Sequence, residues 1–219
     1  MKEEDKVDLE IRRSIYRKPI KYKNWRDLLK LTKSTKERYL FYDKLYKYIE
    51  KRFPNSLENI MDLACGFNPF SIIFMKKYPK YYIAIDIEDR VIEILEKEKK
   101  NFREKGVNLY IYKLDLIKEL YKLEDIFKQF NLRFTIFFFK TITAFSRIDK
   151  KYFDKFFNLI KKNKEFINLV VLSVSRFSLT GKRILDGDLK IMRNLERLGI
   201  PYEIYEIPNE IFFFITSFQ

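Results

Sequence analysis

The sequence predicts an α/β protein with a doubly wound, mostly parallel sheet of seven strands that ends in an antiparallel hairpin. From about residue 58 onward, short apolar runs rich in β-branched and aromatic residues alternate with charged runs of helical period. This alternation is typical of parallel strands joined by helices. Near the end, only the turn dipeptide Pro208-Asn209 separates two apolar runs, which favours an antiparallel hairpin.

The strand candidates show little polar alternation, as expected for strands buried on both faces of a parallel sheet. The predicted strands are residues 59–64, 81–87, 108–115, 134–139, 167–175, 202–207 and 210–218. Helical runs such as 90–106 and 152–166 lie between the first five strands. Five alternating strand–helix units closed by a hairpin are the layout of the Rossmann-like class I S-adenosylmethionine-dependent methyltransferase fold. A plain dinucleotide-binding domain lacks this hairpin.

The first quarter of the chain carries a different pattern. Residues 25–34 and 39–53 place apolar side chains at three- and four-residue spacing, which predicts helices, and Pro54 ends the pattern. We therefore predict two parts: a basic helical, RNA-binding N-terminal extension over residues 1–57 and a methyltransferase domain over residues 58–219.

The positive charge of the chain is uneven. The whole sequence has 45 Lys and Arg against 31 Asp and Glu, and residues 1–57 alone have 17 against 9. A quarter of the chain thus carries more than half of the excess, which favours a polyanionic partner such as RNA. A general lysine bias is an alternative that would raise lysine everywhere without explaining the asymmetry. A membrane surface is the third alternative.

Several residue types are absent or rare. The chain has no histidine, which removes the commonest general base and the usual metal ligand. The single cysteine, Cys65, excludes an internal disulfide and a Cys-rich zinc site. No apolar run approaches 18 residues, and the first residues lack the apolar core of a signal peptide. We expect a cytoplasmic monomer with no metal and no membrane partner.

The stretch from Asp62 to Pro69 has the features of the first strand–helix turn of this sheet. Ligands of doubly wound sheets bind beyond the carboxyl ends of the strands, at this turn. Gly66 lets the backbone approach a ligand, and Pro69 suits the first turn of an apolar helix. Ala64 and Asn68 replace glycines of the usual pattern, and asparagine tolerates a left-handed backbone. The pattern disfavours a pyrophosphate cradle and favours a smaller, cationic ligand.

Acidic residues end the next two predicted strands. Asp86 lies 20 residues beyond Gly66, the spacing at which a carboxylate accepts hydrogen bonds from a ribose diol. Capping of the following helix is the alternative role for Asp86. Asp115 closes the third strand, where adenine would lie, and a helix N-cap is its alternative role. Counting Asp62, three acids at successive strand ends favour a nucleoside-containing cofactor.

Five segments follow the order seen in one protein family. They are residues 34–46, 61–70, 137–145, 173–183 and 206–215. The first four contain Ser-Thr-x-Glu-Arg, Ala-Cys-Gly-x-Asn-Pro, a strand ending in Lys-Thr, and a Ser-Leu-x-Gly-basic loop. Over roughly residues 30–219 the chain resembles the Arm-type aminoglycoside-resistance methyltransferases, which act on guanine N7 of 16S ribosomal RNA. It departs from them in a shorter segment before residue 30 and in lacking a Pro-Thr pair near residue 176.

The resemblance implies that S-adenosylmethionine is the cofactor and that Arg38 pairs with its methionine carboxylate. A guanidinium suits a carboxylate bidentately, whereas a solvated helix arginine is the alternative. Ser34 and Glu37 are interpreted as a capping box at the start of that helix. Lys140 follows the fourth strand, where it contacts the cofactor or the target, or is solvated.

The candidate site residues form two sets. The predicted cofactor-binding residues are Arg38, Ala64, Cys65, Gly66, Asp86, Ile87, Asp115, Leu116 and Lys140. The predicted RNA-binding residues are Arg12, Arg13, Arg17, Lys18, Arg176, Lys182 and Arg183. Tyr16, Tyr22 and Trp25 interleave with the N-terminal cations, where they either pack within helices or stack on bases.

The predicted function is methyl transfer from S-adenosylmethionine to guanine N7 in RNA of the small ribosomal subunit. Guanine N7 presents a neutral lone pair, so the enzyme needs to hold donor and acceptor in line without removing a proton. No catalytic acid or base is therefore assigned. The alternatives are a methyltransferase for another structured RNA such as tRNA, one for a small acidic metabolite, and a non-catalytic RNA-binding protein on a methyltransferase scaffold.

Overall fold

The computed structural model of the protein describes residues 20–176 and 187–218. A seven-stranded sheet forms its centre, with the strand order β3-β2-β1-β4-β5-β7-β6. The strands are β1 (Asn59–Leu63), β2 (Tyr81–Asp86), β3 (Asn108–Lys113), β4 (Phe134–Phe139), β5 (Ile167–Ser175), β6 (Glu203–Ile207) and β7 (Glu210–Ile215). The five strands β1 to β5 pair in parallel, and β7 pairs antiparallel with both β5 and β6. This is the architecture that the sequence predicts.

Helices cover both faces of the sheet. Three precede it: α1 (Trp25–Leu31), α2 (Lys33–Arg38) and α3 (Tyr42–Arg52). The helices after β1 are α4 (Asp89–Glu104), α5 (Leu123–Phe130), α6 (Ile142–Ile148), α7 (Tyr152–Lys162) and α8 (Gly187–Arg197). Short 3₁₀ segments occur at Ser56–Glu58, Asn68–Phe74, Leu120–Lys122 and Lys164–Phe166. None of the helices in the described ranges combines the length and the apolar character that crossing a bilayer requires.

Two apolar cores lie against the two faces, because successive strand residues point to opposite sides. In β1, Met61 and Leu63 face a core that α5, α7 and α8 complete, with Phe127, Phe156 and Leu195 among its buried members. On the other face, α1, α3 and α4 complete a second core. The helices before β1 therefore form one layer of the same packed unit. The division of the chain at residue 57 stays a prediction.

Trp25 anchors α1 in the second core. Its indole stacks on Phe102 of α4 with ring centroids 4.4 Å apart, and its Nε1–H donates to Glu98 at 2.7 Å. Phe70 packs against the same indole. Of the two roles that the sequence left open for Trp25, the structure supports helix packing.

Two local predictions need correction. The segment after the first turn is a 3₁₀ segment, Asn68–Phe74, where the sequence predicts a regular helix. Pro69 lies in its first turn, as expected. The Ser71 hydroxyl donates to the carbonyl of Asn68, and the segment ends at Phe74. The predicted strands 59–64, 81–87 and 108–115 each end one or two residues early, because their last residues belong to the turns at the carboxyl edge of the sheet. The last predicted strand, 210–218, ends at Ile215.

Candidate functional site

The sheet has its topological switch between β1 and β4. From β1 the chain moves outward through β2 to β3, and it then returns to the other side of β1 with β4. The connections that follow β1 and β4 therefore diverge and leave a crevice at the carboxyl edge, which is where doubly wound sheets bind ligands. The turns after β1, β2 and β4 lie along this edge and contain most of the predicted cofactor residues.

The turn after β1 contains two residues with left-handed backbone, Ala64 (φ +52°) and Gly66 (φ +51°). Asn68, for which the sequence allows a left-handed backbone, is not among the described residues with positive φ. Cys65 is buried between them, and its N–H donates to the carbonyl of Ile85. An added Cβ at Gly66 would meet nothing within 4 Å, so glycine is needed for the backbone conformation and the space beside it is open.

Asp86 ties this turn to the end of β2. One carboxylate oxygen accepts the Gly66 N–H at 2.7 Å, and the other accepts the N–H groups of Ile87 and Glu88 at 2.8 and 3.0 Å. Burial raises the pKa of Asp86, and these three backbone donors act against that rise. The carboxylate thus fixes the glycine turn and the turn before α4, but it bonds no N–H inside that helix, whose N-cap is Glu88. The helix-capping alternative for Asp86 is therefore wrong. Ribose binding by its remaining lone pair stays a prediction.

The other predicted residues around the nucleoside region differ in exposure. Ile87 is 51% exposed and directly follows Asp86 at the carboxyl edge of the sheet. Asp115 accepts the N–H groups of Ile117 and Lys118, and its own N–H donates to Glu119. These contacts close a local turn over residues 116–118. The helix N-cap that the sequence left open as the alternative role of Asp115 is wrong, because the next helical segment begins at Leu120 with Glu119 as its N-cap. Leu116, the next residue, is buried in the α5–α7 core.

Asp62 lies beneath the glycine turn. Its carboxylate accepts hydrogen bonds from Asn68 Nδ2 at 2.8 Å and from the Tyr82 hydroxyl at 2.6 Å. Burial, the largest cause, raises the pKa of Asp62 to about 7, against these two hydrogen bonds and the charge of Arg38. Asn68 also accepts from the Tyr42 hydroxyl at 2.8 Å. Asp62 therefore supports the turn from below.

Arg38 continues the hydrogen-bond chain on the other side of Tyr42. Its Nε donates to the Tyr42 hydroxyl at 3.2 Å, one terminal nitrogen donates to Glu210 at 2.8 Å, and the other donates to Ser34 at 3.2 Å. The guanidinium carbon also lies 4.8 Å from the centroid of the Phe139 ring. Burial, the largest single effect, acts to lower the pKa of Arg38, but the charges of and hydrogen bonds to Glu210 and Tyr42 together outweigh it and raise that pKa. The predicted solvated alternative is wrong, since Arg38 is 2% exposed.

Lys140 completes an ionic cluster that we define as Glu37, Arg38, Lys140 and Glu210. Its Nζ donates to Glu37 at 2.6 Å and lies 3.1 Å from the second oxygen of Glu210. The backbone of Lys140 is left-handed (φ +58°), and its N–H donates to both the carbonyl and the hydroxyl of Ser173. A strained lysine at the end of β4 is consistent with a functional position.

The capping box predicted for Ser34 and Glu37 is wrong. Helix α2 begins after Thr32, whose side chain accepts the Thr35 N–H. This releases Ser34 for Arg38 and Glu37 for Lys140. A threonine two residues upstream offered the same oxygen acceptor, and the sequence does not distinguish the two.

Most of the predicted RNA-binding residues lie outside the described residues: Arg12, Arg13, Arg17, Lys18, Lys182 and Arg183. Arg176 follows β5 and pairs with Glu206 of the hairpin. Tyr22 donates to Glu98 at 2.6 Å. A cleft of about 570 Å³ lies beside Tyr22 and Trp25, between the start of α1 and α4, away from the carboxyl edge of the sheet.

Sequence reasoning missed the residues that connect distant elements. These are Tyr42, Tyr82, Ser173 and Glu210. The sequence does contain a sign that Glu210 is functional, because it is a carboxylate at the first position of a strand whose other residues are all apolar. A fully buried strand-end acid requires a cation, and Arg38 and Lys140 supply two.

The strand order, the antiparallel β6–β7 hairpin and the glycine turn at the switch point define a class I S-adenosylmethionine-dependent methyltransferase fold. Among solved structures, the protein is similar to the 16S rRNA methylase ArmA, with a TM-score of 0.67 and 20% identity over 99% of each chain. It is also similar to the 16S rRNA methyltransferase RmtF, crystallised with S-adenosyl-L-homocysteine. That match has a TM-score of 0.67 and 14% identity over 98% of this chain and 75% of RmtF.

A third similar structure is the magnesium protoporphyrin IX methyltransferase ChlM from Synechocystis PCC 6803, determined with bound S-adenosylhomocysteine. Its TM-score is 0.55, with 11% identity over 97% of this chain and 95% of ChlM. No family model matches the sequence, and no curated protein matches it either. The resemblance inferred from the sequence motifs is confirmed at the level of the fold, and the cofactors of these structures agree with the predicted one.

Proposed function

We propose that this protein is an S-adenosylmethionine-dependent methyltransferase that modifies N7 of a guanine in 16S ribosomal RNA. The observation that carries the proposal is the Gly66 turn bonded to Asp86 at the switch point of the sheet. This geometry combines open space beside a glycine with a carboxylate that retains an acceptor site. Both suit the ribose of a nucleoside cofactor.

The RNA part of the proposal is supported by charge. Residues 20–57 contain 11 Lys and Arg against 4 Asp and Glu, so half of the chain's net charge of +14 lies in the helical layer before β1. Helix α3 presents Lys44, Lys47 and Lys51 on one exposed stripe, opposite its buried face. Such a stripe suits the phosphates of an RNA backbone. The similar structures ArmA and RmtF are named for methylation of 16S rRNA.

Guanine N7 is the acceptor that best suits a chain without histidine. S-adenosylmethionine supplies a methyl group on a sulfonium, which is a strong electrophile. The N7 lone pair forms the new N–C bond as the S–C bond breaks, and no proton is transferred. The protein then has to hold the two partners in line and exclude water, which backbone and ionic contacts can accomplish.

The product test uses the chemistry of N7-methylguanosine, whose positive charge makes the glycosidic bond labile. Small ribosomal subunits are incubated with the protein and S-adenosylmethionine, and the extracted RNA is reduced and treated with aniline. We expect one cofactor-dependent cleavage site in 16S rRNA. Methyl incorporation without cleavage would place the methyl group on another atom, and cleavage of tRNA alone would move the substrate to tRNA.

A further inference from the structure

Glu210 is a fully buried carboxylate that is not among the predicted cofactor-binding residues. It begins β7 and pairs with Ser175 at the carboxyl end of β5, which places it at the ligand-binding edge of the sheet. One of its oxygens accepts from Arg38 at 2.8 Å and also from the hydroxyl of Ser173. Its other oxygen lies 3.1 Å from Lys140 Nζ without a hydrogen bond.

The ionic cluster is balanced in charge. Arg38 and Lys140 supply two positive charges, and Glu37 and Glu210 supply two negative ones. A guanidinium has five N–H donors, and three are engaged by Tyr42, Glu210 and Ser34. Arg38 thus keeps one unused donor on each terminal nitrogen among the described contacts. Two such donors are what a bidentate grip on a carboxylate requires.

We propose that Glu210 is a positioning residue that holds Arg38 and Lys140 in place to receive the amino-acid end of the cofactor. The inference rests on the proposed function, since it concerns the same site. A long arginine side chain loses conformational freedom when it binds a ligand, and this loss weakens binding. Glu210 removes most of that freedom beforehand, because it fixes one terminal nitrogen while Tyr42 fixes Nε.

A competing role fits the same contacts and predicts the opposite result. If Glu210 occupied the place of the cofactor carboxylate, its removal would free Arg38 and tighten binding. The donor count favours positioning, because the guanidinium contacts Glu210 through one nitrogen only and leaves the second terminal nitrogen to Ser34. The experiment therefore has to distinguish weaker from tighter binding.

The experiment compares two ligands by titration calorimetry. S-adenosylhomocysteine carries the amino-acid end, and 5′-methylthioadenosine has the same nucleoside without it. We expect Glu210→Gln to weaken S-adenosylhomocysteine binding by about tenfold, the scale of one charge-assisted hydrogen bond. Glu210→Ala should weaken it further, because alanine offers Arg38 no acceptor. Binding of 5′-methylthioadenosine should stay at the wild-type level in both variants.

Three outcomes would overturn the proposal. Equal losses for both ligands would indicate a merely structural role, unchanged affinity would indicate none, and tighter binding would indicate competition. Wild-type protein that binds neither ligand would instead contradict the proposed function itself. Glu98→Gln is the matched control, since it alters a buried carboxylate with three hydrogen bonds on α4 and should leave the ratio of the two affinities unchanged.

A second measurement keeps the inference testable if Glu210→Ala does not fold. In the Arg38→Met background, Glu210 has no guanidinium to hold. Adding Glu210→Gln there should cost less affinity for S-adenosylhomocysteine than it does in the wild type. Additive losses would show that Glu210 acts independently of Arg38 and would overturn its positioning role.

Discussion

Asp86 connects two turns of the fold, and we propose that it also accepts a hydrogen bond from the ribose of the cofactor. Its carboxylate accepts three backbone N–H groups, and one of them belongs to the Gly66 turn. Replacing it with alanine removes these bonds and the acceptor proposed for ribose. The two effects can be separated, because the first lowers stability and the second lowers affinity.

We predict that Asp86→Ala weakens S-adenosylhomocysteine binding by about 1–3 kcal/mol, the cost of removing a charged hydrogen-bond partner. Calorimetry measures the affinity, and urea unfolding measures the stability. Glu58→Ala is the control, because Glu58 directly precedes β1 and pairs with Lys80 just before β2, at the amino edge of the sheet. Wild-type affinity in a folded Asp86→Ala protein would exclude the ribose role.

Asp62 makes stability depend on pH. Burial raises its pKa from 3.8 to about 7, so the folded chain binds a proton that the unfolded chain has released. The stability from this group is complete below about pH 4 and is lost as pH rises through about 7. Other acids, such as Glu58 and Asp149, have lowered pKa values and act in the opposite direction.

We therefore predict a difference between the wild type and Asp62→Asn, measured by urea unfolding at pH 5 and pH 7. The free energy of unfolding of the wild type relative to Asp62→Asn should fall by about 1.4 kcal/mol for each unit that the pH rises over this range, because the amide of the variant cannot ionise. The other acidic residues contribute equally to the pH dependence of both proteins, so their contributions cancel in the comparison. Parallel stability curves for the two proteins would show that the pKa of Asp62 is not raised.

At the scale of elements, helix α3 has two distinct faces. Tyr42, Leu45, Tyr46 and Ile49 are buried against the sheet, and Lys44, Lys47 and Lys51 are exposed. Lys47 pairs with Asp43, but both side chains remain largely exposed and the pair contributes little. The exposed stripe is free to meet an RNA backbone without any change in the core.

Replacing Lys44, Lys47 and Lys51 by glutamine should weaken RNA binding and leave cofactor binding intact. The slope of log affinity against log salt should fall by about 1 for each lysine that contacts a phosphate. Filter binding over a range of salt concentrations measures this slope. The matched control replaces Lys155, Lys162 and Lys164, three exposed lysines of the opposite helical layer. An equal effect in both triple variants would show that the lysines of α3 contribute only to the overall positive charge and do not form an RNA-contacting surface.

Helix α1 explains why the N-terminal layer cannot simply be removed to test RNA binding. Trp25, Leu28 and Leu29 are buried in the core that they share with α3 and α4. A truncation that includes them would expose Phe70 and Phe102 and lower stability by several kcal/mol, as removal of a large buried side chain does. Substitution of exposed cations avoids this ambiguity.

At the scale of the whole molecule, ligand binding and folding are linked. A ligand that binds only the folded chain stabilises it by about 2.7 kcal/mol when present at 100 times its dissociation constant. For a chain of this length we predict that S-adenosylhomocysteine raises the melting temperature by about 5–10 °C. Thermal unfolding monitored by circular dichroism measures the change, with Asp86→Ala as the control that should respond less. No shift at saturating ligand would contradict the cofactor assignment.

The sequence by itself predicted the seven strands, their parallel or antiparallel pairing and the glycine turn that follows β1 at the carboxyl edge of the sheet. Strands such as Phe134–Phe139 are apolar on both faces, and the Pro208-Asn209 turn permits only a hairpin. These features depend on neighbouring residues, so local patterns are sufficient. Gly66 and Asp86 were found in the same way, because their spacing follows from one strand–helix–strand unit.

Only the tertiary structure decided which distant side chains meet. Arg38 and Glu210 are 172 residues apart, and Lys140 and Glu37 are 103 apart. Periodicity tells which face a residue occupies, but it does not tell which residues of other strands end at the same edge. The burial of Asp62 and the ionic cluster follow from that packing, because desolvation and pairing depend on the complete set of neighbours.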